Sequence, residues 1–344
     1  MTSGCPIPTE PSGTIQLGHG GGGRLSRQLL ETLILPILGT PAGGALDAAL
    51  LPAQEGPLAF TTDSYVVRPL EFPGGDIGSL AVYGTVNDLA MVGAQPLALS
   101  LGLILEEGLP LATLERVLHS LRAAAERCGV AVVTGDTKVV ERGKGDGMFL
   151  NTAGIGRIEH SLAIGPAAIR PGDALLVSGD LGRHGVAILA ARHELGFSSP
   201  LPSDLAPLHE DVQALLAAGL ELHGLRDLTR GGLAAALDEL AAAAGLDMLV
   251  LEEAVPVAAA VGSACDLLGL EPLAMANEGR FLVALPDSQA EAALALLRQV
   301  QPTAQRIGQV EGPGTGKVRL ENAMGVRRWL DPGRGSSCQG SVEA

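Results

Sequence analysis

Gly84-Thr85-Val86-Asn87-Asp88-Leu89-Ala90-Met91-Val92-Gly93-Ala94 places a carboxylate, Asp88, inside an otherwise apolar run. The run continues a segment opened by Pro73-Gly74-Gly75-Asp76, a good helix start with Asp76 as N-cap, so a helix is expected to about Met91. A carboxylate on an apolar helix face costs free energy unless it has a partner. Asp88 therefore calls for either a bound cation or a hydrogen bond inside a helix pair.

Working outward, a strand over 58–62 runs into Asp63, and 97–105 reads as a buried strand. Pro110 then opens a helix whose stripe of Leu111, Leu114, Val117, Leu118 and Leu121 stops at Gly129. Strands over 130–133 and 148–155 complete this half, and a helix over 25–38 precedes it. Gly165-Pro166 and Pro171-Gly172 mark a turn-rich boundary. Beyond it, a strand at 174–177 leads into helices over 184–195, 204–218, 231–244, 256–268 and 288–300. Strands near 247–251, 280–285, 304–310 and 317–320 alternate with some of them. The pattern is two α+β domains, 15–160 and 168–320, with a flexible leader (1–14) and a flexible tail (321–344).

A length of 344 residues suits two domains. The chain is 47% hydrophobic but only 2% aromatic, so its core is built from Ala, Leu, Val and Ile. A formal charge of −15 with few stacking rings argues against nucleic acid and anionic membranes as partners. Cys5, Cys128, Cys265 and Cys338 form no CxxC and no regular spacing, which excludes a disulfide framework or zinc site and suits a reducing cytoplasm. No signal peptide is visible, and no run is long and apolar enough for a membrane span.

Chemistry concentrates in a few places. His19-Gly20-Gly21-Gly22-Gly23-Arg24 can bring backbone N–H groups close to phosphate, or serve as a plain hinge. Gly312-Pro313-Gly314-Thr315-Gly316-Lys317 fails as a P-loop, because Glu311 and Val318 stand where Gly and Ser/Thr belong, and a hairpin turn is expected. Asp63, Asp88 and Asp136 could share a hard cation with phosphates, Asp63 and Asp136 being equally readable as turn aspartates. Asp227, Thr229 and Arg230 precede a helix starting near Gly231, a suitable anion site or an ordinary cap. Lys138 alone reads as a solvated lysine, and Asn277-Glu278-Gly279 as a simple turn. His184, His193, His209 and His223 show no ligand spacing and are expected on the surface.

Taken in order, HGGGGR, AFTTDSYVV, FPGGDIG, GTVNDLAMVGA, LILEEGL, VTGDTKVV, NTAGIG, RDLTRGG and ANEG resemble HypE, a family of hydrogenase maturation factors. It belongs with aminoimidazole ribonucleotide synthetase, selenophosphate synthetase and thiamine monophosphate kinase. The resemblance runs from about Gly18 to Leu330. It implies two α/β domains, a homodimer whose N-terminal domains form a β-barrel, and ATP in a cleft between domains.

The reaction implied is ATP-dependent dehydration of a thiocarbamate on a C-terminal cysteine to a thiocyanate. A HypF carbamoyltransferase would load the cysteine, and a HypC–HypD complex would receive the cyanide for [NiFe]-hydrogenase. By position, Asp63, Asp88, Asp136 and Asp227 are the carboxylates for Mg²⁺ and nucleotide. Gly20, Gly21, Gly22 and Gly23 would cover the phosphates, with Asn151, Thr152 and Thr229 nearby, and Lys138 and Glu278 would bind the tail amide and move its protons. The family ends in Pro-Arg-Ile-Cys. Here no terminal cysteine stands, since six residues, Gln339 to Ala344, follow Cys338; as the only cysteine of the tail, Cys338 is the candidate acceptor. A sister small-molecule kinase or ligase, or a non-catalytic scaffold, are the alternatives.

Overall fold

The computed structural model describes residues 13–39, 48–192 and 201–331. In the N-terminal domain α1 (Arg24–Leu29) and α2 (Leu35–Leu38) flank a π-helical stretch, Leu30–Ile34. There follow β1 (Leu58–Tyr65), a small ribbon of β2 (Glu71–Phe72) and β3 (Gly75–Asp76), then α3 (Ile77–Ala90) and β4 (Ala94–Glu106). The domain is completed by α4 (Leu111–Arg127), β5 (Ala131–Val140) and β6 (Met148–Ile158). The sheet order is β1-β6-β4-β5, with only the β4–β5 pair parallel.

Asp76 caps α3 as expected, its Oδ1 accepting from the Ser79 N–H at 2.9 Å while Ser79 Oγ accepts from the Asp76 N–H at 3.1 Å. The α4 stripe Leu114, Val117, Leu118 and Leu121 is fully buried against the core that also takes in Ile77, Leu80 and Ala81 of α3. Each such leucine contributes roughly 1.5–3 kcal/mol by leaving water. One face of the sheet packs on these helices. The other is open and carries Leu58, Phe60 and Ile104, all exposed, with Phe60 at 70%.

The C-terminal domain contains β7 (Asp173–Val177), α5 (Arg183–Arg192), α6 (His209–Ala217), β8 (Gly224–Asp227), α7 (Gly232–Ala244) and β9 (Leu246–Leu251). It continues through α8 (Ala259–Leu268), β10 (Phe281–Pro286), α9 (Ala290–Val300), β11 (Gln305–Pro313), β12 (Val318–Glu321) and β13 (Arg327–Trp329). The sheet runs β13-β12-β9-β11-β7-β10-β8, with only β12–β9 parallel. Alternation along β7 divides the core. Leu175 and Val177 pack with Leu233 and Leu237 of α7, while Ala174 and Leu176 pack with Val212 of α6 and Leu294 of α9.

The domains are joined through α3. Ala90 and Met91 bury their side chains in the α6–α9 core, and Arg127 of α4 makes two 2.7 Å bonds to the Glu210 carboxylate of α6.

Several expectations are corrected. The helix expected over 204–218 starts only at His209, because Asp204, Ala206 and Leu208 spend their polar groups on neighbouring elements. The helix over 256–268 begins at Ala259, and the one over 25–38 carries the π-helical insertion. Asp63 and Asp136 lie within strands rather than at their ends. The 312–317 segment is no hairpin: β11 and β12 pair on opposite sides of β9, and Asp247 Oδ1 accepts from the Thr315 and Lys317 N–H groups to hold the crossing. Part of the expected tail is ordered, since β13 pairs with β12. His184, His209 and His223 are buried rather than on the surface; His193 lies outside the described residues.

Candidate functional site

The site grows from the seam between α3, β1 and the C-terminal domain. Asp63 of β1 pairs with Thr152 of β6, which pairs with Leu101 of β4, so Asp63 belongs to the helix-facing side of the sheet. Thr61, two residues earlier on the same face, donates from Oγ1 to Asp88 Oδ2 at 2.8 Å. Asn151 secures this edge, its Nδ2 donating to the Asp63 carbonyl at 2.9 Å and to Ser64 Oγ at 3.0 Å. From the other domain, Asp227 ends β8 just ahead of α7.

The charges of three carboxylates reach one another here. Burial pushes Asp88 above the usual carboxylate range, the Thr61 hydrogen bond opposes this, and the charge of Asp63 adds to it. Asp227 is pushed up to about 6, first by burial and then by Asp88, with Arg226 opposing and Asp63 adding. The charge of Glu278 reaches the same corner. The buried Tyr65 hydroxyl is held well above its usual range, first by burial and then by the Asp63 charge, with Glu278 and Asp88 adding to it. Arg226 and Arg230 are the cations whose fields reach Asp88.

The loop carrying Glu278 is no simple turn. Asn277 is buried, its Oδ1 accepting from the Gly182 N–H at 2.6 Å and its Nδ2 donating to the carbonyls of Leu228 and Met275. Arg280, 4% exposed, donates from Nη2 to Asp180 Oδ1 at 2.9 Å. Thr229 and Arg230 stand at the N-terminus of α7, where Gly231 and Gly232 both take positive φ. A Cβ on Gly232 would strike the Met275 carbonyl, so glycine is required.

The other predicted residues lie elsewhere. Asp136 pairs with Gly102 and, through it, Asn151 and Ser64, which places it on the open face of the sheet. Three strand spacings, about 14 Å in all, separate β5 from β1. Asp136 is bridged there to Lys138 at 3.2 Å, so within one chain Lys138 does not meet Glu278. The glycine arm lies over this second place. Gly20 sits so close to β5 that a Cβ would strike the Val139 backbone, and Ser26 ties the arm down by accepting from the Gly22 N–H at 2.9 Å and donating to the Gly18 carbonyl at 3.2 Å. A cavity of about 530 Å³ opens between the arm, α1, α2 and β5, with Gly20, Gly22, Asp136 and Lys138 on its wall. Gly21 and Gly23 belong to the same arm and are exposed.

Thr152 corrects its expectation. It is 1% exposed, and its hydroxyl bonds to Thr85 and the Ala81 carbonyl of α3, so no polar atom of its side chain is left for a nucleotide. Cys338 lies outside the described residues. Among the described residues no ready-made cage of three metal-ligating side chains exists, and no helix is long and apolar enough to cross a membrane. Sequence reasoning passed over Asn87, Asp204 and Arg280, whose buried side chains tie the site together. Their signal was polar residues set among apolar ones.

Comparison with known proteins gives the geometry a family. The models of the AIR synthase related protein N-terminal and C-terminal domains match residues 45–158 and 170–321. Carbamoyl dehydratase HypE of Cupriavidus necator is 46% identical over 325 residues, covering 93% of this chain and 92% of that one. A crystal structure of hydrogenase maturation protein HypE in complex with ATP superposes with a TM-score of 0.89 at 49% identity, covering 92% of this chain and 96% of the other. A HypE–HypF complex gives a TM-score of 0.78 at 39% identity, covering 90% and 99%. With its two-domain α+β fold and this likeness along nearly its whole length, the chain belongs to the HypE family of carbamoyl dehydratases.

Proposed function

We propose that this chain uses ATP to dehydrate a cysteine-bound carboxamide, a thiocarbamate, to a thiocyanate that supplies cyanide to the iron of a [NiFe]-hydrogenase. The observation that best supports this reading is that, where the two domains meet, the charges of Asp63 and Asp227 act on one another, that of Asp63 on the Thr61-bonded Asp88, and that of Glu278 on the neighbouring Tyr65. An amide oxygen leaves only once it is activated. It attacks the γ-phosphorus, the bond from that phosphorus to ADP breaks, and ADP departs. Loss of the two N–H protons and rupture of the C–O bond then give the C≡N group and inorganic phosphate, which carries away the former carbonyl oxygen. In this reading Glu278 accepts the protons from nitrogen.

Asp88 and Asp227 fit a divalent cation. Each is a partly buried carboxylate in a field of like charge, and binding Mg²⁺ would relieve the cost that raises its proton affinity. Mg²⁺ typically takes one or two carboxylates and completes its shell with phosphate oxygens and water. When bound, the ion would neutralise phosphate charge. Gly20, Gly21, Gly22 and Gly23 would offer N–H groups to phosphate, with Asp136 and Lys138 beneath them and Asn151 and Thr229 flanking the carboxylates.

A homodimer that covers the open sheet face would bury Leu58, Phe60 and Ile104. It would also bring the arm, Asp136 and Lys138 of one subunit toward the carboxylates of the other. A HypF carbamoyltransferase is the loading partner, a HypC–HypD complex the acceptor, and the cytoplasm the compartment. The test is a heavy-oxygen label in the carbamoyl group. Label recovered in inorganic phosphate supports phosphorylation of the amide oxygen, whereas unlabelled phosphate from ATP turnover would overturn it.

A further inference from the structure

We propose that Asn87 is a positioning residue for this reaction: it fixes Asp88, on the N-terminal domain, at working distance from Glu278, on the C-terminal domain. The inference rests on the proposed function above. Asn87 is 2% exposed, near the C-terminal end of α3. Its Nδ2 donates to the Ala206 carbonyl at 3.1 Å and to the Glu278 carbonyl at 3.3 Å, and its Oδ1 accepts from the Leu208 N–H at 2.8 Å. All of these partners belong to the other domain. Its neighbour Asp88 is held by Thr61 of its own domain at 2.8 Å. One rigid helix turn thus carries a clamp on one domain and a carboxylate fixed to the other.

The far side of the clamp is equally determined. The segment 204–208 has no regular secondary structure and lies between α3 and the loop carrying Glu278. The Asp204 carboxylate accepts from the Gly279 N–H at 3.1 Å and from the His184 N–H at 3.0 Å. The Ala206 N–H donates to the Glu278 carbonyl at 3.4 Å. A Cβ on Gly279 would strike the Asp204 backbone, so the two strips touch without a side chain between them. Motion of the Glu278 backbone relative to Asp88 must therefore break the bonds of Asn87. A buried amide that served only its own helix would have no reason to send both its donor and its acceptor across the domain boundary.

The test is a double-mutant cycle on dehydration by the full-length chain, with Asn87→Ala and the isosteric Asn87→Asp each combined with Glu278→Gln. Asn87→Ala should lower kcat at least tenfold while leaving KM for the carbamoylated substrate within about threefold, an effect of about 1.4 kcal/mol. In the Glu278→Gln background the same substitution should have almost no further effect. Multiplying effects, or unchanged kcat in folded Asn87→Ala and Asn87→Asp, would overturn the proposal. Amide exchange supplies a readout independent of activity. Peptides spanning 204–208 and 277–280 should exchange faster in both Asn87 variants while β4 does not, and unchanged exchange would refute the clamp even if the wild-type chain dehydrates nothing. Loss of dehydration in the wild-type chain, with the exchange change intact, would refute the functional reading alone.

Discussion

The Thr61 hydroxyl on β1 donates to Asp88 Oδ2 on α3 at 2.8 Å, tying an edge strand to the central helix at the place where the two domains meet. This bond occupies one oxygen of a carboxylate that burial and the neighbouring Asp63 render costly to ionise. Carboxylates this costly to ionise cluster at functional sites, and an apolar or neutral residue would suit stability better.

Replacing Asp88 with Asn is accordingly expected to weaken Mg-ATP binding at least tenfold, about 1.4 kcal/mol. The thermal midpoint of the ligand-free chain should stay level or rise. Calorimetry and a melting curve on one preparation check both. Unchanged Mg-ATP affinity in Asp88→Asn combined with Asp227→Asn would remove these carboxylates from the site.

Acidity should affect binding and stability in opposite directions. Asp227 titrates near 6 in the folded chain, above its ordinary value of 3.8, so the folded state holds its proton more tightly than the unfolded state. The stability this group contributes is therefore largest at low pH and is lost as pH rises from about 4 through about 6. Mg²⁺ must displace that proton, so metal-dependent ATP affinity should fall as pH drops below about 6. Asp227→Asn should flatten the first dependence, as read from denaturant midpoints between pH 4 and 8.

Phe60 lies on the open face of a sheet whose other face is covered by helices. Phe60→Glu should convert a dimer into a monomer by light scattering at micromolar concentration, with the melting of each domain little altered. A monomeric wild-type chain would contradict the barrel.

Local pattern carried most of the fold. The apolar run of 97–105, the stripe of α4 and the Asp76 cap are short-range features that tertiary packing reinforced. What escaped depended on distant partners. The segment 204–208 contains Pro207, which disfavours helix ahead of it, and its polar groups serve Asn87, His184 and Gly279. The crossing at Gly314 to Lys317 reads locally as a hairpin because nothing nearby reveals Asp247. Within the site, the charges of Asp63, Asp88 and Asp227 act on one another and that of Glu278 on the adjoining Tyr65, each residue having been marked by its motif. Thr152 turns its hydroxyl into α3, and Lys138 lies across the sheet from Glu278 within one chain, because sheet parity and strand order set where a residue faces, and neither is written in the motif itself.

Cys338 offers the most direct test. The chain is supplied with carbamoyl phosphate, ATP, Mg²⁺ and a HypF carbamoyltransferase, then digested, and the peptide containing Cys338 is weighed over time. The expected result is gain of one carbamoyl group on Cys338, followed by loss of one water that requires ATP and fails in Glu278→Gln. A peptide that stays unmodified, while a HypE ending in cysteine is modified alongside it, would contradict the claim that this chain dehydrates a carboxamide on its own tail.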